Sequence, residues 1–207
     1  MVVTDFVIII CLMLSAFFSG MEIAFISSDR IFLEIEKNQG NIVARILTRI
    51  TETPSKFIAA MLVGNNISLV VYGIFMGDRI ISLLYPEANG ANLSISILFY
   101  QTLISTVIIL LTAEFLPKVF FQLYANKLIK FFIIPAAAFY YIFYPITFFV
   151  IKITDGLLRL FFKTSAEVAE ISFSKGELGD YIEKQVESVT DKEKLDSEIQ
   201  IFQNALE

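Results

Sequence analysis

The chain contains no histidine and no tryptophan, and it has a single cysteine, Cys11. Without histidine there is no imidazole metal ligand and no His-based catalysis. One cysteine cannot form an intramolecular disulfide, so cysteine usage leaves the redox compartment open. Lying inside an apolar stretch, Cys11 reads as a small apolar side chain of a membrane helix. Charge is scarce as well. Only 18% of the 207 residues are charged, 56% are hydrophobic and mean hydropathy is +0.70, which excludes an ordinary soluble domain and demands a membrane class. No lysine or arginine precedes the first apolar stretch, and no small-residue cleavage site follows it. That stretch is therefore read as a retained span rather than a cleaved signal. No internal repeat or low-complexity tract is present, and no nucleic-acid partner is expected of a chain with net charge −5.

What is there divides at about residue 163. Residues 1–163 carry 12 basic and 10 acidic side chains, whereas 164–207 carry 4 and 11. A membrane domain over 1–163 is thus followed by an acidic, water-exposed segment over 164–207. In that segment Leu178, Tyr181, Ile182, Val186 and Val189, then Leu195, Ile199, Phe202 and Leu206, recur at helical spacing. It reads as a cytoplasmic helical bundle that the chain leaves truncated. Within the membrane part, Val2–Ile26 forms a first span. Asp29–Lys56 alternates charged and apolar residues, broken at Asn38-Gln39-Gly40-Asn41, and predicts two short interfacial helices. Thr53-Pro54-Ser55 signals a helix start, and Phe57–Tyr85 is a second span interrupted at Gly64-Asn65-Asn66. After a turn-rich loop at 86–92, Leu93–Leu116 is a third span.

Phe131–Val150 is apolar enough to cross, but its charges argue otherwise. Basic residues in short flanking loops mark the cytoplasmic side. They are absent before the first span, number five in 30–56, and are absent from 86–92. The first three spans therefore alternate from an outside N-terminus. Lys118, Lys127 and Lys130 precede the fourth segment and Lys152, Arg159 and Lys163 follow it, placing both ends in the cytoplasm. Pro135 and Pro145 would supply the bends of a non-crossing segment. The expected fold is an all-α, multi-pass membrane protein with three transmembrane helices, a non-crossing juxtamembrane helical segment and a C-terminal acidic helical bundle.

The chemistry is expected around Thr112-Ala113-Glu114-Phe115-Leu116-Pro117-Lys118. A carboxylate inside a spanning segment is costly and marks a functional-site hypothesis. Pro117 has no N–H and displaces the carbonyl four residues back, so the Ala113 oxygen is expected bare beside Glu114. Two hard oxygens in a low dielectric suit Mg²⁺, Ca²⁺ or Na⁺. The structural alternative is a salt bridge between Glu114 and Lys118, four residues apart on one helix face. Ser15 and Ser19 share a face of the first span, with Glu22 three residues on. Ser19 lies about 15 Å above Asp29, and Asn65 and Asn66 lie about 12–15 Å into the second span. Oxygen-bearing side chains from three helices thus reach a similar depth, biased toward the cytoplasm. Gly64 allows close approach and could leave its carbonyl free. Each residue alone reads more readily as packing glue, a serine hydroxyl bonding its i−4 carbonyl (Cys11 in the case of Ser15) and an asparagine joining helices, and it is the convergence of three helices that favours a site.

Read in order, Leu14-Ser15-Ala16-Phe17-Phe18-Ser19-Gly20-Met21-Glu22, Gly64-Asn65-Asn66 and Glu114-Phe115-Leu116-Pro117-Lys118 resemble the membrane domain of the CNNM/CorC magnesium transporter family, over roughly residues 1–160. The resemblance implies a homodimer in the cell membrane with three membrane helices per subunit and a helical belt at the cytoplasmic face. It implies Mg²⁺ held by Ser15, Ser19, the Gly64 carbonyl, Asn65 or Asn66, and Glu114, with export as the direction and Na⁺ as a candidate coupling ion. The acidic segment resembles the bundle that links this membrane domain to paired ATP-binding CBS domains, which are expected downstream and are absent from this chain. Met21 departs from the family pattern, where a small polar residue is usual, as does Leu69, where another asparagine is common. The reading from the residues themselves keeps a non-transporting scaffold or Mg²⁺ sensor as the alternative. An enzyme is not expected, because a lone buried glutamate with only Lys118 nearby is a thin catalytic set.

Overall fold

A computed structural model describes residues 2–86 and 94–162, with side chains through 157. The acidic segment 164–207, its expected helical bundle and most of the 86–92 loop lie outside the described residues. Every described element is helical. The order is α1 (Val2–Ser27), α2 (Arg30–Lys37), α3 (Ile42–Glu52), α4 (Pro54–Leu84), α5 (Ile95–Ile109), a π segment (Leu110–Phe115), α6 (Leu116–Leu123) and α7 (Ala125–Phe162). Four stretches are long and apolar enough to cross a bilayer: Val2–Ser27, Pro54–Leu84, Ile95–Leu123 and Ala125–Leu157. The chain is an all-α, multi-pass membrane protein.

Local signals place the helix ends. α2 and α3 are the two short amphipathic helices, separated at Gly40, which adopts a left-handed φ of 70° that favours glycine. Asn41 caps α3 by accepting from the Ala44 N–H at 2.7 Å. Pro54 opens α4, where its missing N–H costs nothing. The expected interruption at Gly64-Asn65-Asn66 is not seen: α4 runs unbroken through it. The two asparagines keep their backbone groups in the helix because α1 packs against this turn and supplies a partner for the Asn65 side chain.

α1 and α4 form an antiparallel pair whose partners step in lockstep: Asp5 with Arg79, Ser15 with Asn65, Phe18 with Gly64, and Phe25 with Phe57. α5 and α6 run parallel to α1, since Ile108 and Ile109 pack around Ile8 and Cys11 while Phe121 covers Gly20. The relative directions of these three spans match the alternation read from the charges. Little of the third span is buried, leaving Phe99, Leu103, Leu110 and Phe115 exposed. Gly77, half of a small-xxx-small pattern, is used within the chain against Gln101, whereas Gly73 faces open space.

α7 packs differently. Phe132 and Phe139, seven residues apart, both contact the ring of Phe17, while Phe139 and Phe143 both contact Phe18. On α4, Tyr140 meets Phe57 and its hydroxyl lies 3.4 Å from that of Thr53, yet Phe143, one turn on, already lies against Gly64. A helix running alongside its neighbours would advance in step with them, as α4 does along α1. α7 instead lies across both, over the α2–α3 hairpin, with Ile129 and Ile133 in one core with Leu47 and Ile50. The bends expected at Pro135 and Pro145 do not interrupt it; it is one continuous helix. Two polar ties anchor its start. Lys130 pairs with the buried Glu36 at 2.7 Å, and Asn126 and Asp29 exchange hydrogen bonds of 3.0 and 2.8 Å.

Candidate functional site

α1 packs against both α4 and the π segment, and polar groups of this apolar bundle fall at a similar depth along it. Ser15 is fully buried and its hydroxyl donates to Asn65 Oδ1 at 2.6 Å. The expected back-bond to the Cys11 carbonyl is not made, because an amide oxygen on the facing helix is within reach. Ser19, one turn along the same face, is also fully buried, and its hydroxyl has no hydrogen-bond partner among the described residues. Buried polar atoms are nearly always satisfied, so such an orphan asks for an explanation. The Gly64 carbonyl accepts the Ser68 hydroxyl at 2.9 Å as well as the N–H of the unbroken helix, so it is not the free carbonyl the glycine was expected to leave. Ser68 was not anticipated from sequence; it carries no signal there beyond being four residues past a glycine.

The two asparagines separate. Asn65 is buried and faces α1, whereas Asn66 is exposed and points away from the cluster within one chain. Successive helix positions diverge by about 100° at 3.6 residues per turn, so a pair of adjacent asparagines cannot both face one seam. Glycine at position 64 is required by close approach: a Cβ there would sit 2.8 Å from both the Phe18 and Phe143 rings. At Gly20 a Cβ would stand 2.5 Å from the Phe121 ring, so this glycine lets α6 close on α1.

Glu114 lies in a π-helical segment rather than in an α-helix. The Leu116 N–H reaches back five residues to the Leu111 carbonyl. Proline explains the widening, because in α register the Pro117 ring would collide with the Ala113 carbonyl. Pro117 offers no N–H to Thr112 or Ala113, five and four residues back, so the bared carbonyl expected at Ala113 becomes a property of this widened turn. Ala113 is fully buried and Glu114 is half-buried. The parallel register with α1 sets Glu114 near the level of Ser15 to Ser19. Glu22 lies half-buried on α1, three residues past Ser19. Among the described residues, Glu114 and Lys118 form no ion pair, so the salt-bridge alternative is not the arrangement observed. No group of three or more His, Cys, Asp or Glu side chains converges among the described residues. Any cation held here would take one or two carboxylates and otherwise neutral oxygens.

The far end of the α1–α4 seam is closed. Arg79 grips Asp5 through two nitrogens, at 2.7 and 3.2 Å. Below it Tyr72 is fully buried beside Ile8 and Cys11, with its hydroxyl 3.4 Å from the Ser105 carbonyl.

Comparison with known proteins gives a consistent result. The cyclin M transmembrane N-terminal domain (CNNM) matches residues 6–194, which extends the match beyond the membrane part into the acidic segment. A UPF0053 protein of Haemophilus influenzae is 29% identical over 157 residues, covering 74% of this chain and 34% of its own length. The UPF0053 inner membrane protein YfjD of Escherichia coli is 29% identical over 171 residues, covering 80% and 36%. A UPF0053 protein of Synechocystis is 27% identical over 178 residues, covering 81% and 38%. The chain therefore spans about a third of the length of the curated relatives it matches.

Proposed function

This chain belongs to the cyclin M (CNNM) transmembrane-domain family, and on that premise we propose that it moves Mg²⁺ across the membrane, outward and by alternating access. The observation that carries the proposal is the Ser19 hydroxyl, fully buried with no partner among the described residues, one turn from the Ser15–Asn65 bond on a helix that also packs against the π segment bearing Glu114. A hard divalent ion accepts oxygens of this kind and keeps several waters, so a sparse protein ligand set suffices. Ser15, Ser19, Asn65 and Glu114 are the proposed ligands, joined by the Gly64 carbonyl when the Ser68 hydroxyl turns away from it. Asn66 is set aside as a ligand from the same chain because it faces away. Pro117 holds the carboxylate in the widened turn, and Lys118 and Glu22 tune the local charge.

Export from an inward-open state needs the outer path shut while the site is loaded. The Asp5–Arg79 grip and the Tyr72 layer are the proposed outer closure. In this reading α1 starts outside, and α7 lies in the cytoplasmic half of the plasma membrane as a belt that does not cross. Two copies form the working unit, and Na⁺ is the proposed coupling ion. Mg²⁺ flux in proteoliposomes tests the core of the proposal: wild type transports and Glu114→Gln does not.

A second reading, a non-transporting scaffold or Mg²⁺ sensor, is favoured by one observation. Ser15 with Asn65 and Ser68 with Gly64 are self-satisfied bonds, as packing glue would be. A scaffold tolerates Glu114→Gln, since an amide still forms hydrogen bonds. A Mg²⁺ site loses its formal charge.

A further inference from the structure

We propose that the cleft between α1, α6 and α7 binds one aminophospholipid, with an acyl chain in the apolar cleft and the headgroup in the polar pocket where α6 turns into α7. The cleft has a volume of about 800 Å³ and is walled by side chains such as Met13, Phe17, Leu116, Phe121, Phe132 and Phe139, none of them polar. The pocket, about 330 Å³, is lined by Ser27, Asp29, Gln122, Asn126 and Lys127 among others. Both lie along α6, the cleft beside Phe120 and Phe121 and the pocket beside Gln122 and Leu123.

Depth supports a lipid. Met13 and Phe17 precede Ser27 by 14 and 10 residues on one helix, about 15–21 Å at 1.5 Å per residue. That is roughly the half-thickness of a bilayer's hydrocarbon core, about 15 Å. A headgroup at Ser27 and Asp29 would therefore place its acyl chain in the cleft.

Charge selects the headgroup. Lys127 is exposed, with no ion pair among the described residues, and suits a phosphate. Asp29 lies in the same pocket; one of its carboxylate oxygens is held by Asn126 and the other has no hydrogen-bond partner among the described residues. One cation and one half-free carboxylate complement a zwitterion with a primary ammonium, whose N–H groups can donate to Asp29. A choline headgroup has no such donor, and a glycerol headgroup carries no cation.

The absence of tryptophan allows a clean test. A Phe120→Trp protein reports from the cleft, and a Val70→Trp protein reports from an exposed position on α4. Each is titrated in detergent with brominated-chain phosphatidylethanolamine, phosphatidylcholine or phosphatidylglycerol. The expected result is saturable quenching of Phe120→Trp, tightest for the ethanolamine lipid, against weak non-saturating quenching of Val70→Trp. Adding Lys127→Gln should weaken all three lipids about fivefold. Adding Asp29→Asn should remove the preference for ethanolamine over choline. Equal quenching at the two reporters, or no headgroup preference in the wild-type background, overturns the proposal. So does quantitative disulfide cross-linking between two copies through Met13→Cys in a Cys11→Ser background, which would put a second chain in the cleft. Should Asp29→Asn fail to fold, Lys127→Gln still decides the matter.

Discussion

Replacing Ser19 by alanine gives opposite signs for the ion-free and ion-bound protein. The Ser19 hydroxyl is fully buried with no partner among the described residues, so the folded ion-free state carries its desolvation without compensation. Leaving a buried hydroxyl unsatisfied costs about 1–3 kcal/mol, and removing one oxygen atom opens almost no cavity. Ser19→Ala should therefore stabilise the ion-free protein by about 1 kcal/mol or more. In Mg²⁺ the order reverses. Wild type gains about 2.7 kcal/mol when the ion is at a hundredfold its dissociation constant, and the variant, missing one ligand, gains less at the same concentration. The assay is thermal unfolding in detergent across a Mg²⁺ titration, where the two stability curves should cross. The neighbouring serine is the control. Ser15→Ala leaves Asn65 Oδ1 without its 2.6 Å donor and should destabilise the ion-free protein by about 1–3 kcal/mol, the opposite sign to Ser19→Ala. If Ser19→Ala lowers ion-free stability, or keeps the wild-type Mg²⁺ response, the hydroxyl is not waiting for an ion and the reasoning fails.

Glu114→Gln should unfold at or above the wild-type temperature yet show no Mg²⁺ stabilisation, because a neutral amide is easier to bury but attracts a divalent ion far less; a retained Mg²⁺ response refutes the site. Lys118→Ala should tighten Mg²⁺ binding, since Lys118 makes no ion pair with Glu114 and acts only as a competing charge; weaker binding in the same titration would make it a partner instead. Gly64→Ala should cost about 1–3 kcal/mol from overpacking against Phe18 and Phe143, measured as a lower unfolding temperature, whereas Gly73→Ala, facing open space, should be near neutral. Lys152→Cys in a Cys11→Ser background should resist an impermeant thiol reagent added outside intact cells; strong labelling would show that α7 crosses the membrane.

Much of this architecture is legible in sequence because lipid leaves few alternatives. A backbone in hydrocarbon must satisfy itself, so long apolar runs become helices, and lysine and arginine at their flanks order them. The two interfacial helices around Gly40, the start of α4 at Pro54 and the depth shared by Ser19, Asn65 and Glu114 all follow from spacing and composition. What spacing cannot supply is the partner across a seam. Only packing decided that Ser15 spends its hydroxyl on Asn65 rather than on Cys11, that Asn65 faces inward while Asn66 faces out, and that Lys118 leaves Glu114 unpaired. The proline at 117 announced a disturbed backbone, and the structure gives its form, a π turn that spares the Ala113 carbonyl a clash while α6 closes on Gly20 of α1. In the same way Gly64-Asn65-Asn66 looked like a break and remains a helix, and Pro135 and Pro145 looked like bends and lie inside one. Local preference in each case amounts to a few kcal/mol, and contacts with neighbouring helices outweigh it.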